Sequence, residues 1–182
     1  LICTEEYEKY FSRNDIELAI LAAMVDTASF HSTKTRKQDI NWAKNMCEKY
    51  QLDFQKVYKT GLCLTDISDI KTAYYNGLKK YNFYGCKVES SYIQIEDISK
   101  ISNLITEIIN LLKVHVQSEN LEVFSFIVHD MTQFKTTVYD IDCDGYHIRE
   151  YEKYTSRGNT IIPEIEEKLK RQNITTVFIG CS

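Results

Sequence analysis

The sequence predicts an α/β fold, α+β in character, in which helices flank a small sheet of mixed or mostly antiparallel strands. Three observations predict it. In the first part of the chain, apolar residues recur at helical spacing between short polar segments. Around Gly85 the pattern becomes an aromatic-rich alternation, "KKYNFYGCKVESSYIQI", which reads as two strands joined by a hairpin. Farther on, a long apolar-periodic segment is followed by "LEVFSFIVHDM", a run apolar enough for a strand covered on both faces. Helices, hairpin, long helix, strand, strand, helix and strand in that order describe a layered sheet-and-helix domain.

Residues 4–24 read as helix, because "NDIELAILAAM" is rich in helix formers, and Asn14 or Asp15 is placed to cap it. "TRKQDINWAKNMCEKYQL" is amphipathic, with Ile40, Ala43, Met46, Cys47 and Tyr50 on one face and Thr35 as cap. "DFQKVYKTGL" is a short helix closed by Gly61, and "TDISDIKTAYYNGL" is another, capped by Thr65 or Asp66. After the hairpin, "DISKISNLITEIINLLKVHVQSEN" is a long helix with Asp97 or Ser99 as cap. "KTTVYDIDCDGYHIREYE" gives a strand, a turn at "DCDG" and a further short strand. "PEIEEKLKRQ" is a helix opened by Pro163, with Glu early and Lys and Arg late as the macrodipole favours. "TTVFIG" is expected as a closing strand.

The chain has 182 residues, 43% hydrophobic and 26% charged, enough for an ordinary core. Its net charge of -4 argues against a general nucleic-acid binder, which is usually basic, and leaves room for a local positive pocket. No apolar run reaches the ~20 residues of a membrane span. The opening "LICTEEYEKYFSRND" lacks the basic and apolar regions of a signal peptide. Neither nucleic acid nor membrane is expected as a partner. Cys3, Cys47, Cys63, Cys86, Cys143 and Cys181 form no CxxC pair, so they read as reduced thiols of a cytoplasmic protein. The chain opens on Leu1 rather than Met, and a fragment of a longer protein is expected. A charged, aromatic lead-in over residues 1–14 precedes a domain over 15–182.

No nucleophile elbow, Walker loop, HExxH or GxGxxG occurs in the sequence. His115 reads as a surface or boundary residue of the long helix. His129, beside Asp130, reads first as a hydrogen-bonded strand terminus. Asp26 follows an apolar helical run, where a carboxylate is paired, capping or metal-bound; taken alone, it caps the turn "DTAS". Lys59 stands just before a helix-ending Thr-Gly. In "TSRGNTIIPEIEEKLKRQ", Arg157 and Gly158 form a polar turn ahead of a helix. A fixed cation beside free backbone N–H groups suits an anion. A plain surface turn is the other reading.

Three of these stretches occur in a telling order. "AMVDTASFHSTKTRKQD", then "FQKVYKTGLCL", then "SRGNTIIPEIEEKL" make the chain resemble the C-terminal DHH-associated domain of DHH-superfamily phosphoesterases, from about residue 15 to 170. That superfamily includes manganese-dependent inorganic pyrophosphatases, exopolyphosphatases and prune-like proteins. The resemblance implies the C-terminal lobe of a two-domain phosphoesterase whose N-terminal DHH domain supplies most metal ligands. It implies that Asp26 is a ligand of a divalent metal, manganese or magnesium. It implies that Lys59, Arg157 and Gly158 bind the substrate, polyphosphate or pyrophosphate. Exopolyphosphatase is the activity it favours; inorganic pyrophosphatase or a non-catalytic interaction module are the alternatives. Two departures stand out. Gly158 occupies a place that is usually basic in the pyrophosphatases, and no DHH triplet or HxxxDxD cluster occurs in these residues. No catalytic residue is therefore expected within the chain, and the chain alone is expected to be inactive. Its oligomeric state stays open.

Overall fold

Ser12, not Asn14 or Asp15, opens the first helix, α1 (Arg13–Asp26). Its hydroxyl accepts the Asp15 N–H at 3.3 Å, and the Asp15 carboxylate accepts the Ser12 N–H at 2.8 Å, closing a capping box. Serine is the better cap because its side chain reaches the third helical N–H from an extended backbone. The computed structural model describes residues 9–32, 35–62, 64–68 and 70–179, so the start of the expected 4–24 helix lies partly outside it, and residues 9–12 are not helical. Two compact units are present, Leu1–Cys63 and Leu64–Ser182.

The first unit holds α1, α2 (Lys37–Lys49) and α3 (Phe54–Gly61). Ile16, Ile20 and Met24 repeat every four residues, and that stripe packs on Ala43, Cys47, Leu52 and Val57. Thr35 does not cap α2: its hydroxyl is enclosed without a partner among the described residues, while Asp39 reaches back to the Arg36 N–H at 2.8 Å. Asp53 caps α3 through the N–H groups of Gln55 and Lys56, at 2.9 and 3.2 Å. Gly61 ends α3 as a packing residue rather than a left-handed cap. A Cβ there would sit 2.8 Å from Met24 Cβ, so its lack of a side chain lets α3 approach α1.

The second unit opens with α4 (Ile70–Tyr75). Among the described residues, the two expected caps make other bonds. Asp66 forms a local turn with the Ser68 N–H at 2.9 Å, and Thr65 exchanges hydrogen bonds with Gln94. Next come β1 (Lys79–Phe83) and β2 (Cys86–Ile95), joined by Tyr84 and Gly85. Both turn residues are left-handed, at φ 54 and 85, as a two-residue hairpin requires. Asp97 caps a 3-10 turn (Ile98–Ile101) that leads into α5 (Ser102–Glu119). Strands β3 (Val123–Asp130), β4 (Lys135–Ile141) and β5 (Tyr146–Tyr151) follow.

The sheet is five-stranded, ordered β1-β2-β3-β4-β5, so the expected mixed sheet is present. β2 and β3 are parallel and the other neighbours antiparallel. The parallel pair needs a crossover, and α5 supplies it. One face places Ile93, Phe124, Phe126, Val128 and Ile141 against Ile105, Ile108, Ile109 and Leu112 of α5. The other face places Val88, Ile127 and Val138 against Ile161, Ile162, Ile165 and Leu169. β3 is buried on both faces, which explains its uninterrupted apolar run.

A π-helical turn (Arg157–Ile161) leads into α6 (Ile162–Ile179). Its wider winding precedes Pro163, whose ring would crowd the carbonyl four residues back in a tighter helix. The expected closing strand at "TTVFIG" is absent. Residues 175–179 continue α6, and Gly180 lies outside the described residues. A short β-branched run does not distinguish strand from helix by period, and no Gly or Pro intervenes after Pro163 to stop the helix.

Glu89 is a buried charge on the α5 face. His115 Nε2 lies 2.8 Å from one of its oxygens, and Lys80 Nζ 2.9 Å from the other. Burial pushes its pKa up, but the bonds from His115 and Lys80 outweigh burial and hold it below the ordinary 4.5. A depressed carboxylate pKa contributes stability above the unfolded value and loses it as pH falls through the folded one. Unfolding followed by circular dichroism should therefore show stability falling below pH 4.5. Glu89→Gln should flatten that acid limb and cost about 1–3 kcal/mol at pH 7. An unchanged acid limb in the variant would contradict this.

Candidate functional site

The two-residue stretch Arg157–Gly158 heads the helical turn before α6. Ser156 caps it, its hydroxyl accepting the Asn159 N–H at 3.3 Å and its carbonyl accepting from Thr160 at 3.1 Å. The first N–H groups of such a turn have no acceptor within the helix. Nothing lies within 4 Å of where a Gly158 Cβ would project, so the backbone is open to approach there.

The Arg157 side chain has a defined seat. Its guanidinium lies over the Tyr92 ring, 5.3 Å from the centroid, and Nη1 donates to the Gly77 carbonyl at 2.5 Å. The backbone leading to it is anchored as well. The Thr155 N–H donates to Thr136 Oγ1 at 2.9 Å, and the same hydroxyl lies 3.0 Å from His129 Nδ1. His129 stacks on Tyr154 with centroids 4.3 Å apart and planes 22° apart. Burial, aided by the Arg157 charge, pushes the His129 pKa down to about 3, so its imidazole is neutral. Asp130 accepts the N–H groups of Thr132 and Gln133 at 2.9 and 2.8 Å. Both residues thus belong to a hydrogen-bonded strand terminus, and His115 to the Glu89 pair.

Arg157 differs from Arg149 in what neutralises it. Arg149 grips Asp140 through Nε and Nη2, at 2.6 and 3.1 Å, and Glu164 through Nη1 at 2.6 Å. Its charge is spent on joining β4, β5 and α6. No carboxylate among the described residues pairs with Arg157.

Asp26 and Lys59 lie in the first unit, Arg157 and Gly158 in the second. Asp26 is the last residue of α1 and is exposed. It does not cap "DTAS"; Thr27 does, donating to the Ala23 carbonyl at 2.6 Å and accepting the Phe30 N–H at 3.1 Å. Threonine is the residue whose hydroxyl folds back on the helix end, while the Asp26 carboxylate stays in solvent. Ala28, Ser29 and Phe30 are then all left-handed, at φ 48, 53 and 69, and turn the chain sharply after Asp26. Such a conformation is costly for non-glycine residues. Lys59 is exposed in the last turn of α3. Among the described residues no group of three or more His, Cys, Asp or Glu side chains is gathered for a metal. One carboxylate, Asp26, does not by itself fit a metal pair.

Tyr92 and Gly77, which build the seat, and Tyr154, which stacks on His129, were not singled out by the sequence. The only trace was the "NG" turn and the density of tyrosines around it.

These features define an α/β domain with a mixed five-stranded sheet and an arginine at a helical N-terminus that no carboxylate among the described residues neutralises. The same fold is found in the crystal structure of a putative family II inorganic pyrophosphatase from Methanococcus jannaschii, with a TM-score of 0.69 and 18% sequence identity. The likeness covers 86% of this chain and 55% of that one, so the chain spans about half the length of that structure. No family model matches the sequence, and no curated protein matches it.

Proposed function

We propose that the chain is the C-terminal substrate-binding domain of a metal-dependent exopolyphosphatase. The observation that carries the reading is Arg157: a cation with no carboxylate partner among the described residues, at a helical N-terminus, in a fold shared with a putative pyrophosphatase. Arg157 contacts phosphoryl oxygens through charge-assisted hydrogen bonds, and the open backbone at Gly158 admits an oxygen. Lys59 supplies a second cation as a point charge. Asp26 contributes one carboxylate to a divalent metal, manganese or magnesium, whose other ligands belong to an N-terminal DHH domain. When bound, that metal activates water and neutralises phosphate charge. The protein acts in the cytoplasm; separately, no helix among the described residues is long and apolar enough to cross a membrane.

Pyrophosphate is the second reading, favoured by the name of the structural neighbour. Gly158 speaks for the longer substrate, because a compact dianion pair is held best by two adjacent cations and here only one is present. The test is phosphate release by the full-length protein, with manganese or magnesium, from pyrophosphate, tripolyphosphate and long-chain polyphosphate. A higher kcat/KM on the longer chains is expected. Preference for pyrophosphate would establish the second reading. No metal-dependent release from any of them would sink both and leave a non-catalytic interaction module.

A further inference from the structure

We propose that Tyr92 and Gly77 form a seat that positions Arg157 for phosphoryl oxygens, an inference that rests on the reading above. A free arginine side chain loses about 2 kcal/mol of rotamer freedom when it is fixed on a ligand. A side chain already fixed avoids most of that loss. Here the guanidinium carbon lies over the Tyr92 ring, 5.3 Å from its centroid, and one N–H is taken by the Gly77 carbonyl. A guanidinium carries five N–H donors, so a contact to the ring and a single bond to Gly77 leave other donors for an anion. The partners are a ring and a carbonyl, neither of which cancels the charge as Asp140 and Glu164 cancel that of Arg149.

The seat is itself built. Gly77 is left-handed at φ 59, and a Cβ there would stand 2.4 Å from Tyr92 Cε1, so only glycine lets this turn press on the ring. The Tyr92 N–H donates to the Asn76 carbonyl at 3.3 Å, and the Asn76 amide donates to the Tyr92 carbonyl at 3.4 Å. These two bonds tie the turn to β2. Near the ring, His129 lies 6.0 Å from Tyr92, centroid to centroid, and is held by Thr136. Being neutral, it lends shape to the seat without adding a second charge.

The test is calorimetric binding of tripolyphosphate to the full-length protein. Arg157→Ala, Tyr92→Leu, Tyr92→Phe and the Arg157→Ala/Tyr92→Leu pair are compared. Tyr92→Leu is expected to weaken binding about 3–30-fold, the span of a cation–π contact, and Tyr92→Phe to recover most of that loss. In the Arg157→Ala background Tyr92→Leu should add nothing, because the ring acts through the arginine. An equal loss in both backgrounds would overturn the positioning role. So would a Tyr92→Leu protein that binds as tightly as wild type while Arg157→Ala binds weakly; the phosphate reading would then survive alone. Wild-type binding by Arg157→Ala would overturn both. Should Tyr92→Leu not fold, the Arg157 Nε–H resonance of the wild type decides. A resolved, slowly exchanging signal is expected, and one averaged with the exposed arginines overturns the seat.

Discussion

Arg157→Ala in the full-length protein is expected to lower kcat/KM for polyphosphate about 10–150-fold, the loss of one charge-assisted contact of roughly 1.5–3 kcal/mol. The prediction follows from the pairing pattern. Arg149 is neutralised by Asp140 and Glu164, whereas no carboxylate among the described residues pairs with Arg157, which has the Tyr92 ring and the Gly77 carbonyl beside it. Arg157→Lys should also lose activity although it keeps the charge, because an ammonium neither stacks on Tyr92 nor offers paired planar donors. Lys59→Ala should lose activity as well. The measurement is steady-state kinetics on a long-chain substrate with saturating metal. Near wild-type values in all three variants would return "SRGN" to a plain surface turn.

Phe126→Ala should destabilise the second unit by about 3–5 kcal/mol, the usual cost of removing a buried phenyl ring. Phe126 is fully enclosed at the middle of β3, where α5 covers it, and Ile108 and Leu112 across the interface are enclosed as well. A rigid helix on one side and a central strand on the other leave little room for collapse into the gap, which is the condition for the high end of that range. In thermal unfolding the loss should read as a fall in Tm of roughly 10–25 °C. A change of less than about 1 kcal/mol would mean that α5 does not pack on β3 as described.

Much of the fold was legible because its signals are local. Alternation around Gly85 announced the hairpin, and the unbroken apolar run of β3 announced a strand with two covered faces. Caps were read less well. Asn14, Thr35 and Thr65 are all capping-type residues, yet Ser12, Asp39 and Thr27 take such roles, because a cap is chosen by backbone geometry among several suitable neighbours. The end of the chain was misread for a different reason: "ITTVFI" satisfies strand propensity, and only continuity with α6 decides it. Arg157 was legible as a cation before a helix. Its seat was not, since Gly77 and Tyr92 are brought to it from positions 80 and 65 residues earlier by the sheet, and nothing in a linear reading joins them.

The parallel pairing of β2 with β3 has a kinetic consequence. β1 with β2, and β3 with β4 and β5, are joined by short turns, so each group can form on its own within a few residues of chain. Val88 meets Val123 only after the whole of α5 has been laid down between them. Closing that interval costs chain entropy before any β2–β3 bond returns it. Folding of the second unit is therefore expected to be limited by the meeting of two preassembled pieces, a hairpin and a three-stranded meander, along one seam. Along that seam Ser90 pairs with Ser125, and Ser91 with Phe126.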